Sequence, residues 1–172
     1  SEFTLEEEAK KEARKRIRSE LGIPQKAPVA ILVACLKPQK APVDFVEAAR
    51  LAAKKRSDIF FLVAGDGELR NDVERAIERN RLSSSFRLLG WRMDIAELLA
   101  ASDMLVLTSR WEGLPRVLPQ AMCARLPVVA TNVDGIPEAV VHNRNGFLCS
   151  PGDIRGIADG MAVLAGNAKL RR

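Results

Sequence analysis

Stretches of four to six residues with no polar side chain recur along this chain, and segments of helical spacing separate them. Residues 29–34, 59–64, 104–107 and 127–130 are apolar throughout, while 86–89 and 147–149 are weaker examples. A strand with one face in water alternates apolar and polar residues; a strand that does not alternate is covered on both faces. Between these runs, residues 44–55 set Phe45, Ala48, Ala49 and Ala52 on one helical stripe, and 68–80, 94–101, 136–141 and 154–164 read as further helices. The pattern implies an α/β fold: a doubly wound parallel sheet with helices on both faces, Rossmann-like in kind. It does not order the strands.

Residues 6–21 have a different character. They are rich in Ala, Glu, Lys and Arg, with attractive pairs at Glu6/Lys10 and Glu12/Arg16 and a repulsive one at Glu8/Glu12. With so few apolar residues this helix is expected to be solvated; Gly22 ends it and Pro24 keeps it from resuming. The chain therefore divides into 1–23, a tag remnant (Ser1, Glu2, Phe3) and a linker helix arriving from another domain, and 24–172, a single ligand-binding domain.

The formal net charge of +5 lies largely in residues 10–18 and 171–172, and a solvated helix face accounts for it; contact with anionic phosphates or an acidic membrane face is the alternative. An aromatic content of 5% with no Tyr argues against a base-stacking surface, so no nucleic-acid partner is expected. No apolar run approaches the roughly 20 residues that cross a bilayer. The charged N-terminus lacks an apolar signal segment. Cys35, Cys123 and Cys149 have no metal-ligand spacing and are expected to be reduced, mostly buried thiols of a cytoplasmic protein.

Sheets of this kind bind ligands beyond the carboxyl ends of their strands. Those ends are 36–40, 65–67, 90–92, 109–115 and 131–135. Lys37 and Lys40 stand at the mouth of the first strand, either as ordinary exposed lysines or as cations for a phosphate. Gly65 and Gly67 permit positive φ or close backbone approach to a ligand. Trp91 either covers a ligand or packs beneath the next helix, and Arg92 is expected in the cleft or in water. Asp94 and Glu97 have the spacing of a capping box. His142 lies in a polar run and is expected to be an exposed loop residue.

The stretch 108–131 is the most informative. Glu112-Gly113-Leu114-Pro115 leads into a helix with Val117, Leu118, Ala121 and Met122 on its inner face. Pro115 suits a first helical turn, and Pro119 requires a bend or a later helix start. Unpaired N–H groups at such a start suit a phosphate. Glu112 either caps the helix or serves the ligand. Arg116 opposes the helix dipole unless an anion binds there; a surface salt bridge is the plainer reading.

Glu112-Gly-Leu-Pro115, Gln120-Ala-Met122, Leu126-Pro-Val-Val-Ala-Thr131 and Asp134-Gly-Ile-Pro-Glu138 resemble the nucleotide-sugar-binding half of family 4 glycosyltransferases, retaining enzymes of GT-B architecture. The resemblance covers residues 21–164. It implies that Glu112 contacts the donor sugar, that the N–H groups of Gly113 and Leu114, beside Pro115 and Arg116, approach sugar or phosphate, and that Lys40, with Lys37 as a helper, holds the diphosphate. It places Gly65 and Gly67 in a tight turn at the pocket, Trp91 and Arg92 near the base, and Asp134 to Glu138 along its border. The family signature is Glu, seven residues, Glu; here Gln120 stands second, where the family grips the ribose hydroxyls. Cys35 stands where the family has Arg, and Ala41 and Arg125 where it has Gly, the latter at a helix end that often needs positive φ. Such enzymes need no metal or other cofactor. The resemblance further implies a partner N-terminal acceptor-binding domain, for which this chain has no room, and a setting in the cytoplasm or at the inner face of the membrane. The isolated half is not expected to turn over.

Two rivals compete with the donor-binding half of a sugar transferase. One is a non-catalytic nucleotide-sugar-binding or regulatory module, favoured by Gln120 and Cys35. The other is a receiver-like signalling domain, which needs clustered acids after the first strand, and residues 36–40 offer none.

Overall fold

A computed structural model of the protein describes residues 6–171, so Ser1, Glu2, Phe3 and Arg172 lie outside the described residues. The strands are β1 (Val29–Val33), β2 (Phe60–Ala64), β3 (Phe86–Leu88), β4 (Met104–Leu107), β5 (Val128–Thr131) and β6 (Gly146–Cys149). The helices are α1 (Glu7–Glu20), α2 (Pro42–Lys55), α3 (Arg70–Arg79), α4 (Ile95–Ala101), α5 (Val117–Cys123), α6 (Ile136–Ala139) and α7 (Ile154–Gly166). One six-stranded sheet runs in the order β3-β2-β1-β4-β5-β6, and every neighbouring pair is parallel.

Apolar runs without alternation become strands buried on both faces. Ala30, Leu32, Phe61, Val63, Val106 and Val129 join a core with α2, α3 and α7. Their neighbours Ile31, Leu62, Leu105, Leu107, Val128 and Ala130 join a second core with α1, α4 and α5. In the first core the rings of Phe45, Phe61 and Phe86 form a trio with centroids 5.7 to 6.3 Å apart. Each fully buried side chain of this size contributes about 1.5–3 kcal/mol.

The strand order adds what the sequence did not supply. The chain runs outward from β1 to β3, then crosses back to β4 and runs outward the other way. The winding reverses between β1 and β4, which makes the carboxyl ends of these two strands the switch point where such sheets bind ligands.

Several local expectations need correction. Helix α1 lies along α4 and buries Ala13, Ile17 and Arg18, so its face is not all solvated. Arg18 is fully buried because its guanidinium meets the carbonyls of Pro24, Gln25, Ala27 and Ala101 and the carboxylate of Asp103. Burial, with Arg14 beside it, pulls its pKa below the usual arginine value, and Asp103 opposes this. Asp94 and Glu97 form no capping box: Asp94 makes no side-chain cap and holds Arg92 instead, while Glu97 pairs with Arg16. Cys35 and Cys123 are exposed and Cys149 half-buried, because Cys35 lies beyond the end of β1 and Cys123 faces outward from α5. Met122 is 36% exposed and does not share the inner face of Val117, Leu118 and Ala121. Pro115 lies before α5, while Pro119 is that helix's third residue, where its missing N–H has no intrahelical partner to lose.

Candidate functional site

Two loops meet at the switch point. After β1 the chain makes a short 3-10 turn, Pro38–Lys40, and Ala41 then adopts the left-handed conformation (φ 43°, ψ 53°) before α2 begins. After β4 the polar residues Thr108 and Ser109 end the apolar run, both only 1% exposed. The loops are laced together. Arg110 N donates to Gln39 O (2.8 Å), and Gln39 Nε2 donates to Trp111 O (3.0 Å). Thr108 Oγ1 lies 2.8 Å from Lys40 O and 3.0 Å from Ala41 O. Thr131 Oγ1, at the end of β5, donates to Ser109 O at 2.7 Å.

Glu112 sits at the centre of this lacing and is 8% exposed. Its Oε1 accepts from the Lys40 ammonium and from Ser109 Oγ, the latter at 2.9 Å. A carboxylate so covered needs a cation and a donor to offset its desolvation, and it has both. Its Oε2 has no protein partner among the described residues. Its backbone N–H donates to Asp134 Oδ2 at 2.6 Å. The N–H groups of Gly113 and Leu114 donate to no acceptor among the described residues, and a Cβ added at Gly113 would meet nothing within 4 Å. Glu112 does not cap α5, since that helix starts at Val117 with no side-chain cap.

The other expected site residues fall into separate groups. Arg116 and Gln120 line one hollow of about 410 Å³ with Pro119 and Cys123, on the outward side of α5. Pro115 is buried at the start of the turn that Leu118 N closes onto its carbonyl. Lys37 is exposed beside the 3-10 turn. Gly65 (φ 141°) and Gly67 (φ 155°) do sit at positive φ. The close approach they allow is to the neighbouring loop: an added Cβ would lie 1.9 Å from Ala34 O and 2.6 Å from Leu36 O respectively. Trp91 is 76% exposed and does not pack beneath α4. Arg92 does not extend freely into water, because its guanidinium is held by Asp94 and Glu20. Those bonds raise its pKa further above the ordinary value. A larger hollow, about 520 Å³, lies at the opposite, amino ends of β5 and β6 between Arg125, Arg144, Phe147 and Leu170.

With this geometry in place, residues 13–172 match the sequence profile of a family described as Glycosyl transferases group 1. The chain belongs to that family. Among curated relatives, an Escherichia coli UDP-Gal:alpha-D-GlcNAc-diphosphoundecaprenol alpha-1,3-galactosyltransferase is 38% identical over 137 residues, spanning 78% of this chain and 35% of the relative. The N-acetyl-alpha-D-glucosaminyl L-malate synthase of Bacillus anthracis is 31% identical, spanning 91% of this chain and 41% of the relative. Among solved structures, HepE of Anabaena in complex with UDP and glucose superposes with a TM-score of 0.85 at 26% identity, covering 98% of this chain and 45% of that one. The C-terminal domain of LpcC from Francisella tularensis gives 0.79 at 26% identity, covering 92% of this chain and 85% of that one. The group 1 domain described here thus spans well under half the length of the two curated relatives.

Ser109, Thr108, Thr131 and Gln39 escaped the site assignment from sequence, and Asp134, expected only along the pocket border, holds the Glu112 N–H. The three hydroxyl residues left one signal, a polar residue directly after or at the end of an apolar strand on the ligand side of the sheet. Gln39 left less, since its role depends on which loops the strand order brings together.

Proposed function

We propose that this chain is the C-terminal, donor-binding half of a retaining family 4 glycosyltransferase, which moves a sugar from a nucleoside diphosphate to an acceptor held by a separate N-terminal domain. The observation that carries this reading is Glu112, held by Lys40 and Ser109 at the switch point, with a carboxylate oxygen and two adjacent N–H groups that have no partner among the described residues. Lys40 neutralises the departing diphosphate, Glu112 contacts the donor sugar, and the N–H groups of Gly113 and Leu114 meet sugar or phosphate oxygens. Fixed donors and a fixed cation stabilise charge as it develops on the leaving group. Gln120 accepts from the ribose hydroxyls, with Arg116 beside it in the same hollow. Exposed Trp91 offers a face to the base. No metal or other cofactor enters this scheme. The reaction belongs to the cytoplasm or the inner membrane face; among the described residues no helix is long and apolar enough to cross a membrane.

Support comes from solved neighbours that hold UDP, among them TarM of S. aureus at 25% identity and a TM-score of 0.81. Calorimetric titration with UDP, GDP and ADP and their sugar conjugates tests the reading. Selective binding of one base with its sugar supports it, and binding of none sinks it. A second reading, a binding module without turnover, is favoured by the amide at Gln120. Glycosyl transfer once the acceptor domain is supplied decides against that module.

A further inference from the structure

Asp134, on the loop after β5, has φ of 43°, in the left-handed region that Asp and Asn enter more readily than other residues with a Cβ. Its Oδ2 accepts from Glu112 N at 2.6 Å. The next residue, Gly135, approaches so closely that an added Cβ would lie 2.9 Å from Gly113 O. One charge-assisted hydrogen bond and one backbone contact therefore seat the β5 loop on the Glu112–Gly113 pair, at the N–H of one residue and the carbonyl of the next. Asp134 is itself exposed, so this bond does not serve to neutralise a buried charge.

We infer that Asp134 is a positioning residue for the donor sugar. By occupying the Glu112 N–H it fixes the backbone from which the Glu112 carboxylate reaches Lys40 and Ser109, and it leaves the Gly113 and Leu114 N–H groups to the ligand. Lys40 comes from the other loop and does not depend on this bond. Loss of Asp134 therefore affects the sugar more than the diphosphate. This role rests on the donor-site reading above.

The test compares the parent chain with Asp134→Gly and Asp134→Asn, titrated with UDP, GDP, ADP and their glucose conjugates, with melting temperatures in parallel. Glycine removes the hydrogen bond but accepts the backbone; asparagine keeps a carbonyl acceptor and tolerates the left-handed region. For the base the parent binds, Asp134→Gly is expected to weaken the glucose conjugate about tenfold or more relative to the bare diphosphate, the scale of a lost hydrogen bond to a charged group. Asp134→Asn should recover most of that ratio, and neither variant should melt well below the parent. An unchanged ratio in Asp134→Gly overturns the positioning role. So does an equal loss of both ligands accompanied by a fall in melting temperature, because that is loop collapse. A parent chain that binds none of the six ligands instead removes the donor-site reading beneath it.

Discussion

Lys40 and Glu112, 72 residues apart in sequence, form an ion pair across the two loops that leave β1 and β4. Their side chains are 17% and 6% exposed, so water does little to screen the pair. A lysine assigned to a diphosphate and a glutamate assigned to a sugar thus begin in contact with each other. On the proposed function, a bound diphosphate competes with Glu112 for the same ammonium group.

That competition gives the first prediction. Glu112→Gln should leave nucleoside diphosphate affinity unchanged or raise it, by up to about tenfold or ~1.4 kcal/mol, because Lys40 is released and a nearby negative charge is gone. With the acceptor domain present, the same variant should lose glycosyl transfer. Calorimetry and a transfer assay read the two effects separately; a large loss of diphosphate affinity would mean that Glu112, not Lys40, anchors the nucleotide.

Stability should rise when the helix end after α5 is relieved. Arg125 has φ of 60° and a side chain 79% exposed, with a distant contact to Glu7 as its one ion pair among the described residues. Left-handed backbone costs a residue with a Cβ on the order of 1 kcal/mol. Arg125→Gly should therefore raise the melting temperature by about 2–4 °C for a domain of this size, less the entropy that glycine adds to the unfolded chain. Calorimetric melting checks this, and a lower melting temperature contradicts it.

Acid sensitivity follows from Asp94. The hydrogen bonds from Arg92 hold its carboxyl below the usual aspartate range, against the opposing effect of burial. A depressed folded-state pKa stabilises the fold above the unfolded value, near ~4 for Asp, and that contribution is lost as pH falls through the lower, folded value. Asp94→Asn should thus be less stable than the parent at pH 7, and the gap should close as the pH is lowered below about 4. Denaturant melts across that range measure the gap; one that stays constant with pH excludes this pair as its source.

The fold was legible because apolar runs without alternation admit little besides a covered parallel sheet. The positions of Lys40 and Glu112 beyond such runs were legible with it, whereas the diphosphate and sugar roles given to them came from the family resemblance alone. Residues whose role is set by partners far along the chain were not legible. Arg18 reads as one more surface cation in a charged helix, yet carbonyls from two other segments surround it. Of the two readings open for Trp91, its exposure removes packing beneath the next helix, a matter settled by the loop after β3 rather than by the size of the ring. Gly65 and Gly67 pointed correctly to a close approach, and only the three-dimensional arrangement shows that the loop after β1 fills the space where their Cβ atoms would stand.

The thiols offer a check on that arrangement. Burial, aided by Asp153 and Asp159, pushes the Cys149 thiol up to about 11, so it carries almost no thiolate at neutral pH. Cys35 and Cys123 are exposed. A thiol reagent at pH 7.5 should label two cysteines quickly and the third only on unfolding. Three equally fast thiols would place Cys149 wrongly.

On the proposed function, Lys40 holds the diphosphate of a nucleotide-sugar donor at the β1–β4 switch point. Titration of the parent chain and of Lys40→Ala with the nucleoside diphosphate that the parent binds, at low salt, tests it most directly. Loss of one charge-assisted hydrogen bond predicts weaker binding by roughly 1.5–3 kcal/mol, on the order of ten- to a hundredfold. Equal affinities for parent and variant would contradict it.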